Sequence, residues 1–433
     1  MTTVEESEEE SGSSASVPAA RLRAWRRVAI DTAPLRHAAY RRLFVGNVVS
    51  GFGYQFTAVA VPVQVYALTN SSLWVGFLGL ASLVPLLVFA VWGGAVADAV
   101  DRRRLLLGSS VLMWLSTLGL LAQAVLRVDS AGLILALVAV QATAFAISTP
   151  TRSAIVPRLV PPEELAAANT VNYTMFNAAT VAGPLGAGLV LASFPVGTAY
   201  AIDAVLFTVA LWAALRLPAL PPLTVNAAGS RLRDVVDGLR YLATTPVLLL
   251  SFAIDIAAMV LALPRALFPQ VAAERFGGNH AIGWLYAAIA LGSVVAGVTS
   301  GWIGRVRRQG LALIVAVVGW GLAVAGAGMA SSLWACVLLL AVGGAADLVS
   351  AVYRQTMLQT YAPDELRGRM QGVYTAVVAG GPRLGDLRAG GMAVVVGPTV
   401  AWVSGGIAAA VVAVILAVAF PALRRYTMGP KLD

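Results

Sequence analysis

The chain has 433 residues, of which 59% are hydrophobic and 12% charged, with a mean hydropathy of +0.81 and a formal net charge of +9. A soluble domain carries about 25% charged residues, so water is excluded as the main solvent, and many helices of about 20 apolar residues are expected to cross about 30 Å of hydrocarbon. The lone Cys336 excludes an intrachain disulfide, the distant His37 and His280 make no metal site, and Lys431, the only lysine, leaves no Walker A loop, so no metal or other cofactor is expected.

The first 17 residues are Ser- and Glu-rich, with Glu5, Glu6, Glu8, Glu9 and Glu10 close together, which reads as a disordered tail. They lack the basic start and apolar core of a signal peptide. From Arg21 to Arg42 the sign reverses, and seven arginines interleaved with Leu, Trp and Val predict an amphipathic lead-in on a membrane surface. Apolar segments follow at about 43–67, 73–97, 104–126, 131–149, 168–193 and 197–216. Six more fall at about 247–272, 281–303, 310–330, 332–357, 370–394 and 397–420.

The expected fold is an all-α membrane protein with twelve transmembrane helices in two pseudo-symmetric six-helix bundles, residues 43–216 and 247–420. Residues 1–42 are the tail and lead-in, 217–246 a linker, and 421–433 a second tail. Within the linker, apolar residues recur at helical spacing from Arg231 to Leu242, predicting a helix on the membrane surface.

Orientation follows from the arginines. Connections after even-numbered spans hold Arg102, Arg103, Arg104, Arg152, Arg158, Arg231, Arg233, Arg240, Arg305, Arg307, Arg308, Arg367 and Arg369, whereas the opposite ones hold Arg127 and Arg275. Excess positive charge marks the cytoplasmic side, which then carries both termini and the linker. Arginines spread over short membrane-proximal loops also argue against a nucleic-acid partner. The halves repeat: Pro162-Glu-Glu-Leu165 leads into span five and Pro363-Asp-Glu-Leu366 into span eleven, with Tyr173 and Tyr374 at the same offset.

Between spans two and three lies Gly94-Ala-Val-Ala-Asp98-Ala-Val-Asp101-Arg102-Arg103-Arg104. The arginines serve topology, which needs neither Gly94 nor Asp98. The spacing Gly-x-x-x-Asp-x-x-x-Arg-Arg resembles the signature loop of the major facilitator superfamily, with Asp101 where many members carry glycine. The resemblance implies that Gly94 permits close helix packing and that Asp98 contacts the start of span eleven, where a helix N-terminus favours an anion. It further implies that the arginines complete a charge network holding the cytoplasmic side shut. In the second half, Gly301-Trp-Ile-Gly304-Arg305 occupies the matching loop as a degenerate copy without the aspartate.

In span five, Gly183, Pro184, Gly186 and Gly188 read either as small residues that let helices approach or, by partial resemblance, as the antiporter motif of drug and metabolite exporters. Ionisable residues inside spans are costly unless paired or facing a cavity. Span six holds Asp203, span seven Asp255 and Arg265, span ten Asp347 and Arg354, and span eleven Arg383, Asp386 and Arg388. Two readings stand: a carboxyl that exchanges protons, with Asp255 and Asp347 foremost, or a static ion-pair network that fixes helix register. Arg354 and Arg388, near span ends, are read as snorkelling. The first four spans carry no charge at depth, and span four lacks the arginine that many proton-coupled drug exporters place there. Tyr54, Gln55 and Gln141 are the candidate polar groups of a substrate cavity, or join helices.

The second half matches a narrower group. Phe268-Pro-Gln270, Trp284-Leu-Tyr-Ala-Ala-Ile-Ala-Leu-Gly292, Thr356-Met-Leu-Gln-Thr360 and Gly380-Gly-Pro-Arg-Leu-Gly-Asp386 resemble the enterobactin exporter branch of that superfamily. The resemblance, from about residue 40 to 420, implies a monomeric secondary exporter in a bacterial inner membrane, moving a small molecule against protons. A siderophore is the first expectation and a macrolide-like drug the second. An importer, or a membrane enzyme or scaffold, are the rivals; the sequence shows no nucleophile–base–metal constellation to support the enzyme.

Overall fold

A computed structural model describes residues 31–221 and 231–427, without the side chains of 90–99, 231–235, 364, 365, 367 and 368. The acidic tail, the first part of the basic lead-in and the end of the C-terminal tail lie outside the described residues, as do the surroundings of Gly94 and Asp98.

The first half is six long helices: α1 (Ala38–Thr69), α2 (Ser72–Ala99), α3 (Arg102–Val125), α4 (Ala131–Ile155), α5 (Leu165–Ser193) and α6 (Val196–Leu215). A linker helix (Arg231–Thr244) leads to α7 (Pro246–Ala262) and a short helix (Phe268–Arg275). The rest are α8 (His280–Val298), α9 (Gln309–Met329), α10 (Leu333–Tyr361), α11 (Asp364–Val396) and α12 (Pro398–Ala419). Helices prevail because hydrocarbon offers no partner to backbone N–H and C=O groups, which must pair within each segment. Local chemistry sets the ends. Asn70 closes α1 in the left-handed region at φ 49°, and the hydroxyls of Ser130 and Ser332 accept from the N–H of Leu133 and Ala335 to start α4 and α10.

Among the described residues, eleven helices are long and apolar enough to cross a membrane. The expected twelfth, α11, is 33 residues long but carries Arg383, Asp386 and Arg388. Protein meets part of this charge: Arg383 donates to the Ala379 carbonyl and Arg388 to those of Leu261 and Ala401, while Gly79 of α2 leaves room for the Asp386 side chain. Arg388 therefore does not snorkel as expected; it ties α11 to α7 and α12.

Two expected boundaries move, each with consequences. Span four runs to Ile155 instead of 149, which puts Arg152 on the helix rather than in a loop. Span seven breaks after Ala262, because Pro264 and Pro269 cannot donate backbone hydrogen bonds. Arg265 sits in the break, and Arg388 meets the Leu261 carbonyl left there. The linker helix docks on the second half: Tyr241 Oη donates to the Tyr361 carbonyl at 2.6 Å, and Asp237 pairs with Arg369 at 3.2 Å.

The two halves meet unevenly. At the arginine-poor end one apolar core runs through both, joining Val65, Leu120, Leu191 and Tyr200 to Phe268, Ile282 and Leu285. Small residues bring the backbones together there: a Cβ on Gly188 would fall 2.6 Å from Gly283 Cα, and one on Gly76 would fall 2.7 Å from the Asp386 carbonyl. Polar contacts seal the rim, with Ser72 Oγ donating to Gln270 at 2.6 Å, Asn279 to the Leu191 carbonyl at 3.1 Å, and Tyr66 Oη to Glu274 at 3.2 Å. At the arginine-rich end the first half packs on its own cluster of Tyr40, Leu43, Leu106, Ile155 and Ala168.

The glycine contact between the halves is open to test. Gly283→Ala, whose methyl would meet the Pro184 carbonyl at 2.6 Å, is expected to destabilise the protein by about 1–3 kcal/mol. Gly301→Ala, with nothing within 4 Å, is expected to leave it unchanged. Thermal unfolding in detergent compares the two.

Candidate functional site

The larger cavity, about 660 Å³, lies within the first half and reaches its arginine-rich end, lined by α1, α3, α4, α5 and α6. Tyr54 and Gln55 line it, as does Asn47 on the same face of α1. From α5 come Asn169, Asn172 and Phe176, at i, i+3 and i+7, and from α4 come Phe145, Thr149 and Arg152. The Tyr54 and Phe145 rings stack at 6.0 Å. The α5 asparagines and Arg152 are not among the sequence candidates, although the helical spacing of Asn169, Asn172 and Phe176 is a signal that reveals the polar face.

Gln141 does not line this cavity. It is 5% exposed and donates to Thr117 Oγ1 at 3.1 Å, within a knot around Asp203. One Asp203 oxygen accepts from Thr57 at 2.6 Å and Thr117 at 3.3 Å, while the other has no hydrogen-bond partner among the described residues. Gly53 gives this carboxylate room: a Cβ there would fall 2.9 Å from it. Asp203 thus ties α6 to α1 and α3 through neutral hydroxyls, apart from the other intramembrane charges. A second knot lies closer to the arginine-poor end, where Gln64 and Gln123 pair their amides and Tyr200 Oη donates to Gln64.

The smaller cavity, about 170 Å³, lies in the second half and gathers Asp255 and Arg265 with Asp347 and Arg354. Arg354 and Asp255 form an ion pair at 2.6 Å, with side chains 4% and 3% exposed, and Arg354 also donates to Ser350 at 3.1 Å. Arg354 was expected to snorkel, but it is buried because α10 carries it inward to α7. Asp347 lies one helical turn from Ser350, and its carboxylate makes no hydrogen bond or ion pair among the described residues. Arg383 and Asp386 lie nearby on α11, where Arg383 donates back to the Ala379 carbonyl.

Around the loop between α2 and α3, Asp101 caps α3. Its carboxylate accepts from the N–H of Arg103 at 2.9 Å, Arg104 at 3.1 Å and Leu220 at 3.1 Å. Arg102 donates to the Ala154 carbonyl at 3.1 Å and Arg103 to that of Leu215 at 2.7 Å. These partners lie in the first half, except Leu220 at the start of the linker. The span-five residues lie at close approaches: Gly183 packs on Gln55, Gly186 on the Phe56 ring and Gly188 on Gly283, with Pro184 inside α5.

Comparison with known proteins places this geometry. The model of a transmembrane secretion effector family matches residues 29–431. The enterobactin exporter EntS of Escherichia coli O81 (strain ED1a) is 29% identical over 402 residues, covering 91% of this chain and 94% of the relative. EntS of Escherichia fergusonii is equally similar, at 29% over 402 residues. Among solved structures, the nucleoside transporter NupG superposes with a TM-score of 0.71 at 15% identity, over 90% of this chain and 100% of that one. A bacterial homologue of the iron transporter ferroportin, in an inward-facing state, has a TM-score of 0.64 at 16% identity, over 88% and 98% of the two chains.

The buried ion pair generates a stability prediction. Arg354→Met strands the Asp255 carboxylate and is expected to cost about 3–5 kcal/mol, whereas adding Asp255→Asn to the same chain is expected to restore most of the loss. Thermal unfolding of the two variants in detergent checks this.

Proposed function

Because the chain belongs to the transmembrane secretion effector family of the major facilitator superfamily, we propose that it is a proton-coupled exporter of an enterobactin-like siderophore, working by alternating access in a bacterial inner membrane. The observation that carries the reading is the match to the enterobactin exporter over 91% of this chain and 94% of that one. Members of this superfamily are transporters, so the rival reading as an enzyme falls away. The arginine distribution supports placing both termini and the larger cavity's open end in the cytoplasm. The cavity then receives substrate from the cytoplasm while the shared apolar core closes the outer side, and rocking of the halves would reverse the two.

Coupling is assigned to the second half. Arg354 neutralises Asp255, while Asp347 on the same cavity has no fixed partner. A proton reaching Asp347 would remove its pull on the arginines around it, and that exchange of partners would link protonation to helix position. The arginines and Asp98 of the 94–104 loop are assigned to gating. In the present conformation Arg102 and Arg103 bind carbonyls of their own half, and they would be released to meet α11 when the cytoplasmic side closes.

Two outcomes follow. In proteoliposomes an imposed proton gradient is expected to drive enterobactin movement, and Asp347→Asn, at wild-type melting, to uncouple it; full gradient-driven transport by that variant would overturn the coupling assignment. Asp98→Asn is expected to slow turnover while leaving equilibrium binding of enterobactin within about twofold, by the logic that separates uniform binding from turnover. Failure of that variant to insert into the membrane would instead assign the loop to folding.

A further inference from the structure

Arginines near the arginine-rich end of the first half are mostly tied down. Arg42 donates to the Arg216 carbonyl, Arg102 to that of Ala154, Arg103 to that of Leu215 and Arg158 to that of Pro221. Arg36 pairs with Glu164 at 3.1 Å. These contacts join helix ends and loops, which is what cations at a membrane boundary ordinarily do.

Arg152 is different. It projects from the last turn of α4 into the 660 Å³ cavity, and among the described residues its guanidinium makes no hydrogen bond and no ion pair. Its Nε is buried with no partner. A guanidinium carries five N–H donors in a fixed fork and stays charged under all ordinary conditions. Arg152 is half-buried, and a guanidinium partly withdrawn from water without a partner is satisfied by an anion. The helix gives no relief, because Thr149 and Ser153 turn their hydroxyls back to the carbonyls of Phe145 and Thr149.

The surroundings specify what the anion is attached to. Among the described lining residues Arg152 is the only charged side chain, so the charge the cavity wall itself presents is positive. Tyr54, Phe145, Phe176 and Phe207 supply aromatic faces. Asn47, Gln55 and Asn169 supply amides whose side chains make no hydrogen bond among the described residues. Cavities of this size hold drug-sized molecules, and a planar fork facing aromatic walls matches an anionic group on an aromatic, acceptor-rich body.

We propose that this cavity is a binding site for an anionic, aromatic-bearing small molecule, and that Arg152 is the residue that recognises its negative charge. The proposal deepens the export reading and rests on it for the direction of transport. It also assigns a function to a residue whose sequence position suggested only topology. The charge is recognised in the cytoplasm-facing conformation, before any exchange at Asp347, so anion selection and proton coupling are carried by different halves.

The experiment uses two probes of nearly the same shape: N-(2,3-dihydroxybenzoyl)serine, with one carboxylate, and the corresponding neutral serinamide. Calorimetric titration of the purified full chain in a neutral detergent is expected to show the acid binding about tenfold more tightly than the amide, the size of one charge-assisted contact. Arg152→Gln is expected to bring the acid down to the amide's affinity without moving the amide, and Arg152→Lys to keep part of the preference. Equal binding of acid and amide by the wild type, no binding of the acid, or an unchanged preference in Arg152→Gln would each overturn the proposal. Displacement of the acid by phosphatidylglycerol, with the acid binding no better than the amide when lipid is absent, would assign the arginine to a lipid and also overturn it. Transport of enterobactin by wild-type proteoliposomes separates this inference from the export reading. If the wild type transports enterobactin but binds acid and amide alike, the inference fails alone. If it does not transport enterobactin yet loses its acid preference through Arg152→Gln, the site stands and the siderophore reading fails.

Discussion

Everything in this structure depends on the cost of an unpartnered polar or charged group in a medium without water. Backbone groups meet that constraint by forming helices, and several charged side chains meet it by pairing inside the bundle. Asp203 takes hydroxyl donors from two other helices, Asp255 takes Arg354, and Arg388 takes the Leu261 carbonyl at the break after Ala262 and the Ala401 carbonyl in the first turn of α12. Each solution fastens one helix to another. The intramembrane charges therefore set register as well as any transport role, and the two readings of the sequence are not exclusive.

The same constraint gives the molecule its asymmetry. Where the halves share an apolar core and glycine contacts, backbones approach closely and a few polar contacts ring the rim. Where they separate, polar faces of α1, α4 and α5 line a cavity instead of packing. A transporter that rocks about a central site needs both kinds of contact, one made and one open, and needs each to be weak enough to exchange. Glycine contacts suit this, because they rely on close dispersion packing without strong directional bonds.

The division of labour between halves is clearer in the structure than in the list of charged residues. In the first half, Asp203 is held by neutral partners and Arg152 stands alone in a large cavity. In the second, acids and arginines gather around a small one. A drug-sized space lined by one cation and a compact charge cluster are different chemical devices, and the two lie in different halves.

Much of this was legible from residues alone. Hydropathy and length determine that the chain is a helical membrane protein, the arginine asymmetry sets its expected orientation, and the paired Pro-Glu-Glu-Leu and Pro-Asp-Glu-Leu segments mark two halves, because each is a local or composition-level property that lipid enforces segment by segment. Tyr54 and Gln55 were also readable as cavity groups, as polar residues at depth on one helix. Tertiary structure alone decided that Gln141 bonds to Thr117 rather than facing the cavity, that Arg354 turns inward to Asp255, and that Arg152 belongs to a helix and not a loop. Those outcomes turn on helix rotation and on which neighbour supplies a partner. A charge in the last turn of a helix has the same sequence signature whether it faces headgroups, a carbonyl or a cavity, and only the packing of the other helices distinguishes them.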